Sequence, residues 1–374
     1  MGEIDFNRWL QLASEHQMTS AGRAPRPSQI AARLTAVQRS FASYQRDEWD
    51  SFARASGGSF LGSWGVVRAR RLLGPVRLFD FILEDGAGAT RKVGQCAVAV
   101  AKAKAIFLDK IQLLEAQRHL GGQCLRLATR QFGAKTYCYG SHWNDEDRFD
   151  FNAIPNFVID ESVFHIDLID FSNWENFDAY RRSVSENIRR DHKKAKDAGA
   201  TLTTRIGLAA LRDLFALVAM RAHMMRKHNQ RFSQVSDFFL HAAKLAVLGD
   251  SGFITTGRIN RKCYAAFFGA QIGSKLYYIS GGTKKNRFGV GSYLFLTLIE
   301  RWFSQHPAGK LLMGDCPGLS GHAIHTYASP LYRRKLRVRS INGVEFRLRP
   351  EEIGVTQPRK LWAKVFRARS AKKG

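Results

Sequence analysis

The chain has 374 residues, 45% hydrophobic and 24% charged, a composition that excludes a disordered or fibrous protein and a length that accommodates two cores. Its 58 Lys and Arg against 32 Asp and Glu leave a formal charge of +26, a field that attracts nucleic acid, anionic lipid headgroups or phosphorylated cofactors without choosing among them. The five cysteines, at 96, 124, 138, 263 and 316, are odd in number and form no Cys-x-x-Cys. That argues against a disulfide framework or a zinc ribbon and for a reducing compartment. No secretory signal opens the sequence and no run approaches ~18 apolar residues. The cytoplasm is therefore the expected location.

Residues 1–58 read as helical with a break at Gly22, Pro25 and Pro27, because Trp9, Leu10 and Ala13, and then Ile30, Leu34, Val37 and Phe41, recur at helical spacing. From 59 to 115 the period changes. Phe60–Val67, Val76–Leu83, Val93–Val100 and Ala105–Leu114 are short apolar or alternating runs parted by turn residues, which predicts adjacent strands. Ala116–Phe132 follows as a helix and Lys135–Gly140 as a strand. The acidic, turn-rich stretch 143–156 is the expected junction, and Ser162–Ile169 reads as a strand.

The second half repeats this order. Trp174–Ala198 is a predicted helix with Asn173 as N-cap and Gly199 just past its end. Ala200–Ile206 is a strand, and Leu208–His228 and Val235–Leu248 are helices, the first amphipathic. Gly252–Ile259, Cys263–Gln271 and Lys275–Gly281 are three consecutive strands, followed by a helix over Gly291–Gln305 and a strand over Leu311–Asp315. Two halves with a similar order predict an internal structural duplication, although no sequence repeat is visible.

The chemistry concentrates between 275 and 292. A strand carrying Tyr278, Ile279 and Ser280 runs into the loop Lys284-Lys285-Asn286-Arg287-Phe288-Gly289-Val290-Gly291-Ser292, which opens into an apolar helix. Backbone N–H groups at a helix start, with glycines that allow close approach and basic side chains alongside, form a phosphate cradle. A turn that merely returns the chain to the core has the same appearance. A P-loop is excluded, since Gly-Lys-Ser/Thr is missing.

Asn286-Arg-Phe-Gly-Val-Gly291 resembles the Q/R-x-x-G-x-G/A signature of GNAT acyltransferases, with Asn286 departing from the usual Gln or Arg. The run from Tyr180 to Gly199, through Ser185, Asn187, Arg189 and Arg190, resembles a helix of the CelD-type acetyltransferases. These are linked to cellulose and exopolysaccharide synthesis and related to the tandem-GNAT FemAB transferases. The resemblance covers about residues 170–340. It implies an α/β (α+β) fold with a mixed, mostly antiparallel sheet flanked by helices, in two tandem GNAT-like units. The implied segments are an N-terminal helical stretch (1–58), a degenerate first unit (59–170), the acyltransferase domain (171–350) and a basic tail (351–374). The implied activity is transfer of an acyl group from acetyl-CoA or another acyl-CoA to an amine or hydroxyl on a small molecule, glycan or envelope precursor. Residues 278–280 and 286–292 would hold the cofactor, with backbone amides near Tyr278–Ser280 meeting the developing oxyanion.

Proton work falls to residues after the fifth strand: Asp315, Cys316, His322, His325, Tyr327 and Tyr332. The resemblance favours Tyr327 as general acid. His325 is a candidate base near neutral pH and Asp315 either caps the strand end or takes part. No metal is expected, because His322-x-x-His325 lacks a third ligand at recognisable spacing. Arg181, Arg182, Arg189, Arg190, Lys193, Lys194 and Lys196 form either a solvated face or a wall for an anionic substrate. In the tail, residues 358–373 combine apolar residues spaced four apart with seven basic residues, the composition of a peripheral contact with an anionic inner-membrane face. Two alternatives remain: a FemAB-like aminoacyl-tRNA-dependent transferase, and a non-catalytic nucleic-acid-binding protein, for which no motif is present.

Overall fold

The computed structural model describes residues 32–101, 103–132, 134, 136–140, 143, 157–227, 229–284, 287–315 and 339–350; for 157–167, 314–315 and 339–350 it describes the backbone alone. The first half contains β1 (Arg33–Arg39), α1 (Arg46–Ala55), α2 (Trp64–Leu72), β2 (Val76–Glu84), β3 (Thr90–Ala101), β4 (Lys104–Phe107), β5 (Gln112–Leu113), α3 (Gly121–Thr129), β6 (Thr136–Tyr139) and β7 (Phe157–Asp170). The second contains α4 (Phe177–Ser183), α5 (Glu186–Asp197), β8 (Thr201–Ile206), α6 (Leu214–Lys227), α7 (Gln234–Leu248), β9 (Gly252–Ile259), β10 (Lys262–Ile272), β11 (Lys275–Thr283), α8 (Val290–Gln305), β12 (Lys310–Asp315) and β13 (Arg339–Pro350).

The described strands join in one 13-stranded sheet, ordered β1-β2-β3-β4-β6-β13-β7-β12-β11-β10-β9-β8, with β5 paired to β3. The order is a duplication. Each half lays down a first strand, two helices, three antiparallel strands, a helix, and a strand that pairs in parallel with the last of those three. β4 pairs in parallel with β6 over Lys104–Ile106, and β11 with β12 over Lys275–Tyr277. The last strand of each half crosses over: β7 pairs with β12, and β13 pairs with β6. β7 and β13 then pair antiparallel through the middle, from Arg339 opposite Leu168 to Pro350 opposite Phe157.

Helices cover both faces of the second half. α4, α5 and α8 close one core around Tyr180, Phe267 and Phe295; α6 and α7 close the other around Leu217, Phe268 and Tyr277. Phe60 of the first half is buried in that second core, with its ring 5.1 Å from Tyr277. Trp143 packs there too, 6.1 Å from Tyr277, and Lys275 donates through Nζ to the Gly57 carbonyl at 2.7 Å.

Several predicted elements differ. Residues 33–39 form a strand and not a helix, because Leu34 and Ala36 alternate onto the first-half core while the backbone pairs with β2 from Arg33–Glu84 to Arg39–Leu78. Phe60–Val67 is no strand; it splits into a short 3-10 turn and the start of α2, whose first free amide, at Trp64, donates to the remote Asp50 carboxylate at 2.7 Å. Ala105–Leu114 is interrupted at Asp109, whose carboxylate accepts from the Ser59 amide at 2.7 Å. Trp174–Ala198 breaks at the extended Val184, and its N-cap is Asn176, which accepts from the Ala179 amide at 2.9 Å, not Asn173. Residues 207–213 are 3-10 and not α-helical.

One glycine, Gly282, lets α6 sit directly on β11. A Cβ on Gly282 would lie 2.5 Å from the Met220 carbonyl oxygen and 2.6 Å from its carbon, both backbone atoms of α6. Gly282→Ala is therefore expected to destabilise the fold by about 1–3 kcal/mol, the cost of overpacking a site that cannot yield locally. Urea denaturation checks this; an unchanged midpoint would show that α6 shifts freely.

Candidate active site

The parallel ladder between β11 and β12 ends at Tyr277–Leu312, while β11 continues to Thr283 and β12 to Asp315. Beyond Tyr277 the two strands diverge and leave a wedge. Its cause lies in two irregularities. β12 bulges against β7 between Leu312 and Asp315. β11 bulges against β10 at Ile279, so that Tyr278 faces Gly269 and Ser280 faces Phe268. Past the ladder, the edge of β11 towards β12 has no strand partner among the described residues. Backbone amides there are placed to meet a ligand in the wedge.

The bulge also re-phases the side chains. Tyr278 stacks on Phe267 at 4.8 Å and 15°, on the α8 side, and burial pushes its hydroxyl up to about 12. Ile279 packs on the opposite, α6–α7 side, and so does Ser280. One extra residue in the strand is what puts both on the same face.

Ser280 meets a histidine that sequence reasoning did not select. His241 projects inward from α7, buried at 1% exposure, with Nε2 2.7 Å from Ser280 Oγ and Nδ1 2.8 Å from the Asp237 carbonyl oxygen. A carbonyl can only accept, so Nδ1 carries the proton, and neutral Nε2 is left to accept from the Ser280 hydroxyl. The Asp237 carboxylate lies 3.5 Å from Nδ1 and is held by Arg221 Nε at 2.9 and 3.2 Å. Burial lowers the His241 pKa, helped by Arg221 and Lys244 and opposed by Asp237. The result is a neutral imidazole set to take a proton from Ser280, with a carboxylate behind it that favours the cation once formed. A signal for it did exist: Asp237, His241, Leu245 and Leu248 form the buried stripe of α7, and a carboxylate–histidine pair four residues apart has no place in a purely apolar stripe.

The glycine loop enters α8 as expected, with Gly289 as N-cap at φ +75°, a conformation that favours glycine. Arg287 is exposed over the Phe288 ring at 4.9 Å, Val290 is fully buried, and Gly291 and Ser292 lie half-buried in the first turn. However, a Cβ on Gly289 would sit 2.5 Å from the Asp191 Cβ of α5. The positive end of α8 is thus faced by the chain's own carboxylate, a favourable pairing with the helix dipole. α5 is anchored along α8 by His192, which stacks on Tyr293 at 5.3 Å and lies 3.3 Å from Thr297 Oγ1. The outer faces of α4, with Asp178, Arg181 and Arg182, and of α5, with Glu186, Arg189, Arg190 and Lys193, line a mainly basic cleft of about 510 Å³.

Asn286, His325 and Tyr327, with Cys316, His322, Tyr332 and the tail, lie outside the described residues. Asp315 ends β12 opposite Ile166 of β7, and its backbone alone is described. Among the described residues no three His, Cys, Asp or Glu side chains converge as metal ligands, and no helix is long and apolar enough to cross a membrane.

A duplicated mixed sheet with a parallel pair that splays beside a glycine-capped helix defines a tandem GNAT-like architecture. Residues 182–309 match the family model described as an acetyltransferase (GNAT) domain. Among solved structures, FemX superposes with a TM-score of 0.63 at 10% identity, covering 83% of this chain and 96% of that one. The C-terminal domain of a putative lysylphosphatidylglycerol synthetase from Agrobacterium fabrum gives 0.48 at 11% identity, over 84% and 100% of the two chains. A tandem GNAT protein from the clavulanic acid biosynthesis pathway gives 0.43 at 11%, over 87% and 100%. No curated protein matches the sequence.

A histidine whose folded pKa is lowered contributes stability that is present above its unfolded value, about 6.5, and lost as the pH falls from there through the folded value. Stability is expected to drop between pH 7 and 5 more steeply in the native protein than in His241→Gln. Comparing the two slopes cancels the similarly lowered His192. Parallel slopes in urea unfolding would show that His241 does not titrate differently in the two states.

Proposed function

We propose that the protein transfers an acyl group to an amine or hydroxyl acceptor, with the donor's carbonyl in the wedge between β11 and β12. The observation that carries this reading is the Ser280–His241 pair beside a strand edge without a strand partner, inside the segment that matches a GNAT domain. The acceptor meets the carbonyl beside Ser280, which α6 and α7 leave 9% exposed. As it attacks the carbonyl, its proton passes to Ser280 Oγ while the Ser280 proton passes to His241 Nε2. Backbone amides of β11 stabilise the oxyanion. The bond from carbonyl carbon to the leaving sulfur or oxygen then breaks, and the leaving group takes up a proton. Tyr327 is the candidate acid for that last step, with His325 and Asp315 nearby in sequence.

The donor in this reading is acetyl-CoA or another acyl-CoA, with residues 286–292 around its pyrophosphate. The resemblance to CelD-type proteins extends the acceptor to a polysaccharide or envelope precursor. Asp191 favours a second reading. A carboxylate against Gly289 competes with a pyrophosphate, as a FemAB-like aminoacyl-tRNA donor, which needs no such cradle, would tolerate. The +26 charge and the cleft on α4 and α5 suit that donor.

Two experiments follow. Ser280→Ala and His241→Asn are expected to lower kcat by roughly 10²–10⁴-fold, the usual worth of a positioned proton acceptor, while donor affinity holds. Full turnover by both variants would remove the pair from the mechanism. For the donor, calorimetry with acetyl-CoA compares the native protein with Asp191→Asn. If CoA binds at Gly289, removing the like charge tightens binding about fivefold, equivalent to ~1 kcal/mol at ~4 Å in water. No binding by either protein, with activity restored by aminoacyl-tRNA, would select the second reading.

A further inference from the structure

The outward faces of α6 and α7 are apolar where a water-facing helix pair is ordinarily polar. Leu208 and Leu211, in the 3-10 turn before α6, lead into Phe215; on α7, Val235, Phe239 and Leu240 stand alongside. Leu208, Phe215, Val235 and Phe239 are each between 66% and 74% exposed. They form one patch, since Phe215 lies 4.8 Å from Phe238, which in turn lies 5.7 Å from Phe239. Single exposed apolar residues need no explanation, but a contiguous aromatic surface marks an interaction site.

The charges around it name the occupant. From 207 to 248 the sequence has two acids, Asp213 and Asp237, and both are buried. Asp213 is paired to Arg205 and Arg258, and Asp237 to Arg221. The exposed charged residues described in this stretch are Arg212, Arg226, Lys227 and Arg231, all positive. A second copy of the chain would press one +26 body against another, and the exposed Asp250, beside Gly207 at the edge of the patch, offsets little of that repulsion. A surface that is at once apolar and anionic meets both demands.

We propose that this face docks on an anionic phospholipid bilayer, with Phe215, Phe239 and Leu240 entering the headgroup–acyl boundary and the surrounding Arg and Lys residues against the lipid phosphates. The docking site is independent of the acyl-transfer reading and of residues 358–373. It gives α7 two roles, His241 turned into the sheet and Phe239 and Leu240 turned to the lipid.

The test is co-sedimentation of the full-length protein with phosphatidylglycerol vesicles and with phosphatidylcholine vesicles. The native protein is compared with F215S/F239S/L240S, which removes apolar surface and leaves the charge unchanged. Expected is salt-sensitive binding to phosphatidylglycerol alone, with a partition coefficient roughly tenfold lower in the triple variant. Equal binding by the variant, or none by the native protein, overturns the proposal. So does a fall from dimer to monomer mass in the variant by sedimentation equilibrium, which would make a second copy the occupant, or a lowered thermal midpoint, which would mean that the chain covers the patch itself. Phe215→Trp supplies a readout in an otherwise native protein: its difference emission should shift to the blue with phosphatidylglycerol vesicles, and an unshifted spectrum overturns the insertion.

Discussion

The parallel ladder between β11 and β12 stops at Tyr277, and the site depends on that stop. Were the strands paired to their ends, the amides of residues 278–283 that point away from β10 would bond to β12 and none on that edge would remain for a ligand. Two bulges force the divergence, and the Tyr277 side chain is packed at its vertex under Phe60 and Trp143 of the first half. The cost of the unpaired edge is borne by a shared aromatic core. The first half thereby buttresses the point from which the wedge opens.

The exchange of β7 and β13 reinforces this coupling. Each closing strand hydrogen-bonds to the parallel pair of the opposite half, so neither half completes its sheet alone. The ladder through β7 and β13 runs without a register shift from Arg339–Leu168 to Pro350–Phe157 and joins the two halves at the middle of the sheet.

Electrostatically, the two ends of the site are prepared in opposite senses. At Ser280 the environment keeps His241 neutral and places Asp237 where an imidazolium would need it. At the α8 N-terminus the dipole's natural partner, an anion, is already present as Asp191. In the proposed reading, the Ser280–His241 end is arranged for proton transfer, whereas a donor at the α8 end would compete with an internal carboxylate. That asymmetry separates a CoA donor from one that never visits Gly289.

Much of the frame was legible in the residues. The run from β8 to β12 follows periodicity and glycine placement, since apolar strands bounded by turns and a glycine before an apolar helix are local properties. Ser280 was selected for its backbone and not for the hydroxyl that meets His241. What the sequence could not convey was pairing at a distance. Arg33–Arg39 fitted a helical period by coincidence and became a strand because β2 offered it an edge. The turn at 85–88 marked Val76–Leu83 as the neighbour of the next strand, as it is, but nothing local marks where a parallel ladder ends. His241 and Ser280 are 39 residues apart and meet because a bulge of one residue turns Ser280 to the face that α7 covers. Composition and local period thus determined the elements and the positive charge. Which edges pair, which face Ser280 takes and which carboxylate lies against Gly289 were decided by the tertiary structure, because hydrogen-bond register and packing are properties of segments in contact and not of segments in order.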